Sequence, residues 1–305
     1  MEEMREKLSI NQQIEDLKSK NVRFEICSEG DARRFLEYNT YYYKIKQYLQ
    51  AFDRGGKVDF AYLKELSTLD YHFRKMIIRV ALDIEHLLKV KLIRDITYDD
   101  GEDGYRVVQR FFHFNSNLKD ELAQKTRSSA AEGITLGDPE KMPVWQLVEL
   151  LSFSAFCVLY KFYYNLLDDD PMVKCMKSTR YLRNAAAHNT CLLNTLKNDD
   201  LPYNSVNDDV YDAVDRMGLF SVKALDKRLH CRTIHEFVSM LYLFCLLSSD
   251  EALTNMRRYT LEGIQKEFKN RFVYHKDYFV GSSFLTSNYE FITKLIGAVI
   301  EKGFQ

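Results

Sequence analysis

The sequence predicts an all-α fold. Proline and glycine, which interrupt helices most often, are scarce, because the 305 residues include 4 prolines and 12 glycines. Apolar residues recur at helical spacing over long stretches, most clearly from Leu66 to Asp95. Hydrophobic residues make up 46% of the chain, which is ample for the core of one large domain or two small ones.

The N-terminal stretch predicts two capped helices joined by a short extended segment. Ser9 and Gln12 have the spacing of a capping box, which satisfies free amide groups at a helix start. Ser28 and Asp31 repeat that pattern. Between the two helices, residues 22–26 alternate between apolar and polar, which is typical of an extended segment.

A segment dense in tyrosine follows, from Phe35 to Lys44. An aromatic cluster more often packs in a core, and we expect that here. The alternative is that the tyrosines beside Lys44 and Lys46 stack on nucleic-acid bases. Residues 53–56 contain two glycines and predict a turn.

The long helix predicted from Leu66 to Asp95 has a charged face opposite its apolar one. Most such faces are simply solvated, but a row of cations can also contact RNA phosphates. A loop is expected after the helix, at residues 99–104. The candidates for RNA contacts on this helix are Lys89, Lys91 and Arg94.

The middle of the chain predicts a loop and then an apolar helix. Residues 125–141 are polar and glycine-bearing and predict a flexible loop beside a cleft. The apolar helix begins near Pro143 and carries Glu149 on an apolar surface. Unpaired, that carboxylate would cost several kcal/mol, so we expect either a partner such as Arg183 or an edge position facing water.

The C-terminal third predicts three more helices after an acidic, polar linker at residues 198–215. The helices are expected near Thr233–Leu247, Glu251–Arg271 and Asn288–Lys302, with Asp250 as the cap of the second.

Charge and composition limit the classes of function. The formal net charge is −1, so the chain lacks the basic balance common in nucleic-acid binders, and only a local positive patch could bind RNA. The 6 cysteines show no Cys-x-x-Cys spacing, and residues 238–247, the longest apolar run, are too short to span a bilayer. We therefore expect a reduced, cytoplasmic protein without membrane contact. No metal or cofactor is expected, since His230 and His235 lack the i,i+4 spacing of a helical metal pair.

The stretch with the clearest chemistry runs from Tyr181 to Asn194. Arg183 is followed by Asn184, and His188 comes four positions after that asparagine. Histidine can take or give a proton near neutral pH, and arginine offers a planar fork to phosphate oxygens. This combination suits cleavage of RNA by its own 2′-hydroxyl. Because Arg183 and His188 are about 140° apart around a helix, one helix does not aim both at one point, whereas two facing copies could.

The Arg-x(4–6)-His pattern is weak by itself. It also occurs at Arg79/His86, Arg106/His113 and Arg228/His235. For any one match taken alone, an ordinary helix surface or a satisfied histidine is the more common structure. The fourth match differs in its context, Leu-Arg-Asn-Ala-Ala-Ala-His-Asn followed by Leu-Leu-Asn. That context resembles the signature of the HEPN superfamily and, within it, of the Abi-like (abortive infection) bacterial proteins.

The resemblance covers roughly residues 7–200. It includes the segment Gln12–Lys20, the tyrosine segment, Leu69-Asp-x-x-Phe-Arg74 and Met142-Pro-Val-Trp-Gln-Leu-Val-Glu149 in the same order. A Glu and an Arg that the family often has on its long helix correspond loosely to Glu85 and to Lys89 or Arg94. Residues after about 200 carry no resemblance.

The resemblance implies a HEPN-type helical bundle with additional N- and C-terminal helices. The corresponding division is residues 1–65 as a lead-in, 66–200 as the bundle with the motif, and 201–305 as an extension. It also implies a homodimer in which two motif helices meet.

The activity implied is a metal-independent endoribonuclease that defends against phage, with RNA as target and a small non-coding RNA as a further partner. Arg183 and His188 would be catalytic, and Asn184 would orient the histidine or the phosphate. Supporting roles would fall to Asn189, Asn194, Glu149 and Glu85. Two alternatives are an RNA-binding module with an idle motif, which some HEPN proteins exemplify, and a housekeeping structural protein.

Overall fold

The computed structural model describes residues 7–52, 58–118, 122, 141–197, 201–202, 205–280 and 282–304. Within these ranges nearly every element is a helix, so the predicted all-α class is confirmed. The helices are α1 (Ile10–Ser19), α2 (Glu29–Tyr38), α3 (Tyr42–Leu49), α4 (Phe60–Thr97), α5 (Arg106–Phe114), α6 (Val144–Leu150), α7 (Phe153–Tyr163), α8 (Pro171–Ala187), α9 (Leu192–Thr195), α10 (Asp208–Arg216), α11 (Val222–Leu229), α12 (Arg232–Leu247), α13 (Glu251–Tyr274) and α14 (Ser283–Lys302). A 3-10 helix spans Lys276–Phe279, and two short strands are β1 (Val22–Arg23) and β2 (Val58–Asp59).

Helix α4, with 38 residues, is the longest described element, and it extends beyond the predicted range at both ends. It contacts α3, α6, α8, α9, α12 and α13. Because partners cover several of its sides, its buried residues do not form one narrow stripe, and even Glu65 and Asp70 are buried in it. The helix therefore positions elements from both halves of the chain.

Asp59 ties the start of α4 to the segment that follows β1. Its Oδ1 accepts hydrogen bonds from the backbone amides of Ala61 at 2.8 Å and Cys27 at 3.2 Å. Its Oδ2 accepts from the amides of Glu25 at 2.8 Å and Ile26 at 3.0 Å. One buried carboxylate thus caps the long helix and anchors a second segment.

The two strands form a minimal parallel pair, with Val22 opposite Val58. The predicted extended segment is therefore confirmed, although only Val22 and Arg23 belong to the strand. The helix caps predicted at Ser9, Ser28 and Asp250 are also confirmed, because each side-chain oxygen accepts a hydrogen bond from a backbone amide three residues on.

Helix α8, which carries Arg183, packs against α4 and α7, as the apolar periodicity predicts. Its most extensive contact is with α12, a helix of the C-terminal third whose side chains are mostly buried. One hydrophobic core includes buried residues from all three predicted segments. The residues after 200 therefore supply part of the packing around the motif helix.

Two expectations about local structure are corrected. The apolar stretch that begins near Pro143 forms two helices, because Leu151 is extended and Ser152 caps α7 by accepting from the amide of Ala155. The linker predicted at residues 198–215 contains helix α10, which Asn207 caps by accepting from the amide of Asp209. The predicted turn at residues 53–56 and nearly all of the predicted loop at residues 125–141 lie outside the described residues.

The tyrosine segment does not form the expected core cluster. Tyr38, Tyr41 and Tyr43 are 80%, 53% and 66% exposed, and among the tyrosines of α3 only Tyr48 is fully buried. A helix of 8 residues with one covered face leaves the remaining rings in solvent. Elsewhere, residues 99–104 are loop as predicted, apart from local turns.

All six cysteines are free thiols. Within the described ranges, none of the helices combines the length and the apolar character that a bilayer crossing requires.

Candidate functional site

The motif residues lie at the C-terminal end of α8. Arg183 and Asn184 are in the last turn but one and are partly buried, whereas His188 is the exposed C-cap residue. The helix ends in a Schellman motif, since the amide of Thr190 donates to the carbonyl of Ala185 at 3.0 Å and that of Asn189 to Ala186 at 3.2 Å. This motif places His188 at the point where the helix stops.

Asn189 makes that termination possible. Its φ is 62°, in the left-handed region that asparagine tolerates better than most residues. Its side chain is also held, because Lys44 Nζ in α3 donates to its Oδ1 at 2.6 Å. The residue directly after His188 is therefore fixed by its backbone and by a side chain 145 positions away.

Within one chain, Arg183 is turned toward its neighbour. Its Nη1 donates to Asn184 Oδ1 at 3.1 Å. Among the described residues, no hydrogen bond joins the His188 side chain to Arg183 or Asn184. Arg183 and Asn184 thus pair with each other, and the His188 imidazole lies apart from them at the helix end. This arrangement agrees with the angular offset between Arg183 and His188 that the sequence predicts.

A buried polar cluster lies behind the motif. We call it the Asp70 cluster, and it consists of Asp70 with Lys44, Tyr48, Arg74 and the backbone amide of Leu193. Asp70 Oδ2 accepts from the Tyr48 hydroxyl at 2.8 Å and from Arg74 Nε at 3.0 Å, while its Oδ1 accepts from the Leu193 amide at 2.9 Å. Lys44 Nζ lies 3.9 Å from Oδ2. The cluster thus connects α3 and α4 to the start of α9.

Charge in the Asp70 cluster is confined to the protein interior. Asp70 is 0% exposed and Lys44 3%. Burial lowers the pKa of Lys44, and the nearby Arg74 adds to that effect. Burial also raises the pKa of Asp70, and the hydrogen bonds from Leu193 and Tyr48 and the charge of Arg74 oppose the change. One carboxylate therefore balances two cations, and one of these cations holds Asn189.

Asp70 and Arg74 belong to the stretch Leu69-Asp-x-x-Phe-Arg74, but no functional role for them is predictable from the sequence. Their i,i+4 spacing inside an apolar stripe was the available signal, because an acid and an arginine one turn apart on a buried face imply a satisfied pair. The link to Lys44 and Leu193 depends on tertiary structure, which local spacing does not encode.

The supporting residues proposed from the sequence are spread over the bundle. Glu149 is exposed on α6, and among the described residues no ion pair joins it to Arg183, so it has the water-facing position. Glu85 is 16% exposed on α4 and lies 3.3 Å from Lys89. Asn194 is partly buried in α9, where its Oδ1 has no hydrogen-bond partner among the described atoms.

The three proposed RNA-binding cations do not form one surface. Lys89 pairs with Glu85 at 3.3 Å, and Lys91 pairs with Asp95 at 2.5 Å. Lys89 and Lys91 are about 160° apart around α4, whereas Lys91 and Arg94 are about 60° apart. Arg94 also lies 3.2 Å from Asp95 and is 58% exposed. Only Lys91 and Arg94 therefore share a side of the helix.

The other Arg/His matches show what an ordinary occurrence looks like. His235 is buried, its Nε2 accepts from the Asn207 amide at 3.0 Å, and burial lowers its pKa to about 4. His86 is exposed on the side of α4, and His113 is exposed in the last turn of α5. His188 differs from all three because it is the C-cap residue of its helix. Across the described residues, no three His, Cys, Asp or Glu side chains are grouped as metal ligands.

The chain matches a known protein family over much of its length. The family model of the Abi-like proteins matches residues 34–194, which is more than half of the chain, and the protein therefore belongs to the Abi-like family. The matched range runs from α2 to α9 and includes the Asp70 cluster and the whole Arg183–His188 motif. No curated protein and no solved structure matches the chain significantly.

Proposed function

We propose that this protein is a metal-independent endoribonuclease of bacterial abortive-infection defence, built on a HEPN-type bundle. The family membership supports the defence role, since Abi denotes abortive infection. The observation that carries the activity is the end of α8, where an exposed imidazole follows a partly buried Arg–Asn pair and the next residue is anchored by Lys44.

The proposed reaction uses the 2′-hydroxyl of the RNA as nucleophile. His188 removes the proton of that hydroxyl as its oxygen bonds to the adjacent phosphorus. The bond from phosphorus to the 5′-oxygen breaks, and a second histidine or water protonates the departing oxygen. Arg183 binds the phosphate oxygens and stabilises the charge that develops on them. The products are a 2′,3′-cyclic phosphate and a 5′-hydroxyl.

The proposal includes a two-fold homodimer. Arg183 pairs with its own neighbour Asn184, and His188 is offset from it around the helix. A partner copy of α8 across a two-fold axis would place a second Arg183 and a second His188 in the same cleft. The exposed surface at Ala187 and His188 leaves room for close approach.

The test is incubation of purified protein with total RNA, followed by analysis of the fragment ends. Loss of a positioned general base costs roughly 10²–10⁴ in rate, so His188→Ala should lose at least that much. Arg183→Lys should be nearly as impaired as Arg183→Ala, because an ammonium group cannot replace a bidentate fork. His86→Ala and His113→Ala are matched controls, since both histidines are exposed on helices and neither is a C-cap residue.

Cleavage that survives His188→Ala, or that ends in 5′-phosphates and stops with chelator, would contradict the proposed mechanism. Binding of RNA by the wild-type protein with no cleavage under any condition would instead identify an RNA-binding module with an idle motif.

A further inference from the structure

A groove of about 540 Å³ lies between α7 and α8, on the side of the bundle that also carries α5. Its floor is apolar and includes Val158, Val173 and Met176. Its volume falls in the range of small-molecule sites, which is about 300–1,000 Å³. The groove is thus large enough for one nucleotide and too small for a folded partner.

The rim of the groove has more positive than negative charge. Lys161 and Lys177 both donate to Asp168 Oδ1, each at 2.9 Å, so two ammonium groups share one carboxylate. The two lysines lower the pKa of Asp168 to about 2, which keeps it ionised. Arg180 lines the same groove, where its Nη1 donates to Ser154 Oγ at 2.8 Å. Three cations against one carboxylate favour an anionic occupant.

Two aromatic rings border the groove. Phe114 and Phe162 have ring centroids 5.2 Å apart, and Phe114 is 65% exposed. An exposed phenylalanine ring next to cations suits a ligand that combines a flat face with a phosphate, because bases stack on aromatic side chains while the cations bind the backbone. A purely apolar ligand would make no use of the excess positive charge on the rim.

The wall of the groove is locally rigid. Helix α7 ends in a Schellman motif, with the amide of Leu166 donating to the carbonyl of Lys161 at 3.0 Å and that of Asn165 to Phe162 at 3.2 Å. Asn165 has a φ of 50°, as this motif requires. Lys161 and Phe162 are therefore held by the same turn that closes the helix.

The groove and the motif share a face of α8. Lys177, Tyr181, Asn184 and His188 follow each other at i, i+4, i+7 and i+11, which keeps them within a sector of about 60° around the axis. The distance along the helix from Lys177 to His188 is about 16 Å. Tyr181 is exposed between them, and the Arg180 guanidinium lies 4.7 Å from its ring centroid. A strand bound at His188 can continue along this face into the groove.

We propose that the groove between α7 and α8 is a nucleotide-binding site that takes a base against Phe114 and Phe162 and its phosphate on Lys161, Lys177 and Arg180. The nucleotide can be free or part of an RNA chain. Binding of a nucleotide within an RNA chain rests on the proposed function, since that nucleotide would lie upstream or downstream of the cleaved bond on the same strand.

The test measures binding rather than cleavage, by calorimetry with AMP and by anisotropy with a 2′-O-methyl oligoribonucleotide, which offers no nucleophile. The variants are Lys177→Glu and Phe114→Ala, and the matched control is Lys223→Glu, an exposed lysine on α11. We expect Lys177→Glu to weaken binding about tenfold or more, because a charge-assisted bond to phosphate is lost. Phe114→Ala should reduce the preference for AMP over ribose 5-phosphate.

Binding of AMP that depends on Lys177 supports a site for free nucleotides, and binding of the oligonucleotide alone supports a site for the RNA chain. Affinities for both probes that are equal in Lys177→Glu and in Lys223→Glu would overturn the proposal. Because no probe is cleaved, a protein without ribonuclease activity can still pass this test, and an active ribonuclease can still fail it.

Discussion

Asp70 is a small side chain whose removal should cause a large loss in the free energy of unfolding. It is 0% exposed and accepts hydrogen bonds from Tyr48, Arg74 and the amide of Leu193. Asp70→Ala leaves the buried Lys44 and the partly buried Arg74 without the carboxylate that pairs with them. We expect a loss of about 3–5 kcal/mol in the free energy of unfolding, the usual cost of removing one partner from a buried ion pair.

The same substitution should affect the motif. The loss of Asp70 frees the amide of Leu193 and removes the counter-charge of Lys44, which holds Asn189 Oδ1 at 2.6 Å. Asp70→Asn is the finer probe, because it keeps the shape of the side chain and one acceptor oxygen, while it removes the charge and replaces the other oxygen with an NH2 group. We expect it to cost less than Asp70→Ala, about 1–3 kcal/mol, since one charged hydrogen-bond acceptor becomes a neutral one.

The assay is urea denaturation at pH 7, monitored by circular dichroism. The slope of the unfolding free energy against urea concentration is compared between variants. The control is Glu29→Ala, which removes a solvated glutamate paired with Lys18 at 2.8 Å and Arg33 at 3.6 Å. That loss should be much smaller than the loss from Asp70→Ala, because solvent screens the pair. If Asp70→Ala costs no more than the control at an unchanged slope, the buried cluster does not stabilise the fold as argued.

Three further outcomes are expected. Because burial lowers the pKa of His235 from 6.5 to about 4, the folded state binds fewer protons than the unfolded one, and the unfolding free energy should fall by about 3 kcal/mol as pH drops from 6.5 to 4. In the His235→Gln variant, the unfolding free energies measured by denaturation at pH 6.5 and at pH 4 should no longer show this difference. Gly104→Ala should lower the melting temperature, because φ is +79° and the new Cβ would lie 2.5 Å from Trp145. Reversing Lys91 and Arg94 to glutamate should weaken RNA binding and flatten its salt dependence in anisotropy titrations, and an unchanged salt slope would exclude this side of α4.

The helices were predictable because their signals are local. Apolar periodicity located α4, α12, α13 and α14, and the side-chain caps at Ser9, Ser28 and Asp250 located three helix starts. The break between α6 and α7 was missed, since a single serine within an apolar stretch gives little warning that it caps a new helix. The exposed tyrosines of α3 were missed because composition does not say which face of a short helix is covered.

The motif residues of the candidate site could be selected from the sequence. The residues and packing that hold the motif in place could not. Arg183, Asn184 and His188 could be selected because their order resembles a known signature. Lys44 could not, since its contacts join residues 145 positions apart and a lysine beside tyrosines predicts a surface. The packing of α12 against α8 was also hidden, because the segment after residue 200 carries no resemblance and apolar spacing does not identify the partner of a helix.

The proposed two-fold site leads to a prediction that distinguishes it from a site within one chain. Arg183→Ala and His188→Ala homodimers should both be inactive, the first with two histidines and no arginine, the second with two arginines and no histidine.

A heterodimer of the two variants, co-expressed with different affinity tags and purified by both in sequence, contains one intact Arg183 and one intact His188. If a two-fold axis brings both motifs into one cleft, these two residues lie together and cleavage should return in part. If each chain holds its own site, neither half of the heterodimer has both residues and it should be as inactive as its parents. Failure of the two tags to purify together at micromolar concentration would refute the dimer itself. Circular dichroism of each variant controls for folding. Within one chain Arg183 pairs with Asn184, so any cleavage that returns in the heterodimer measures what the partner chain supplies.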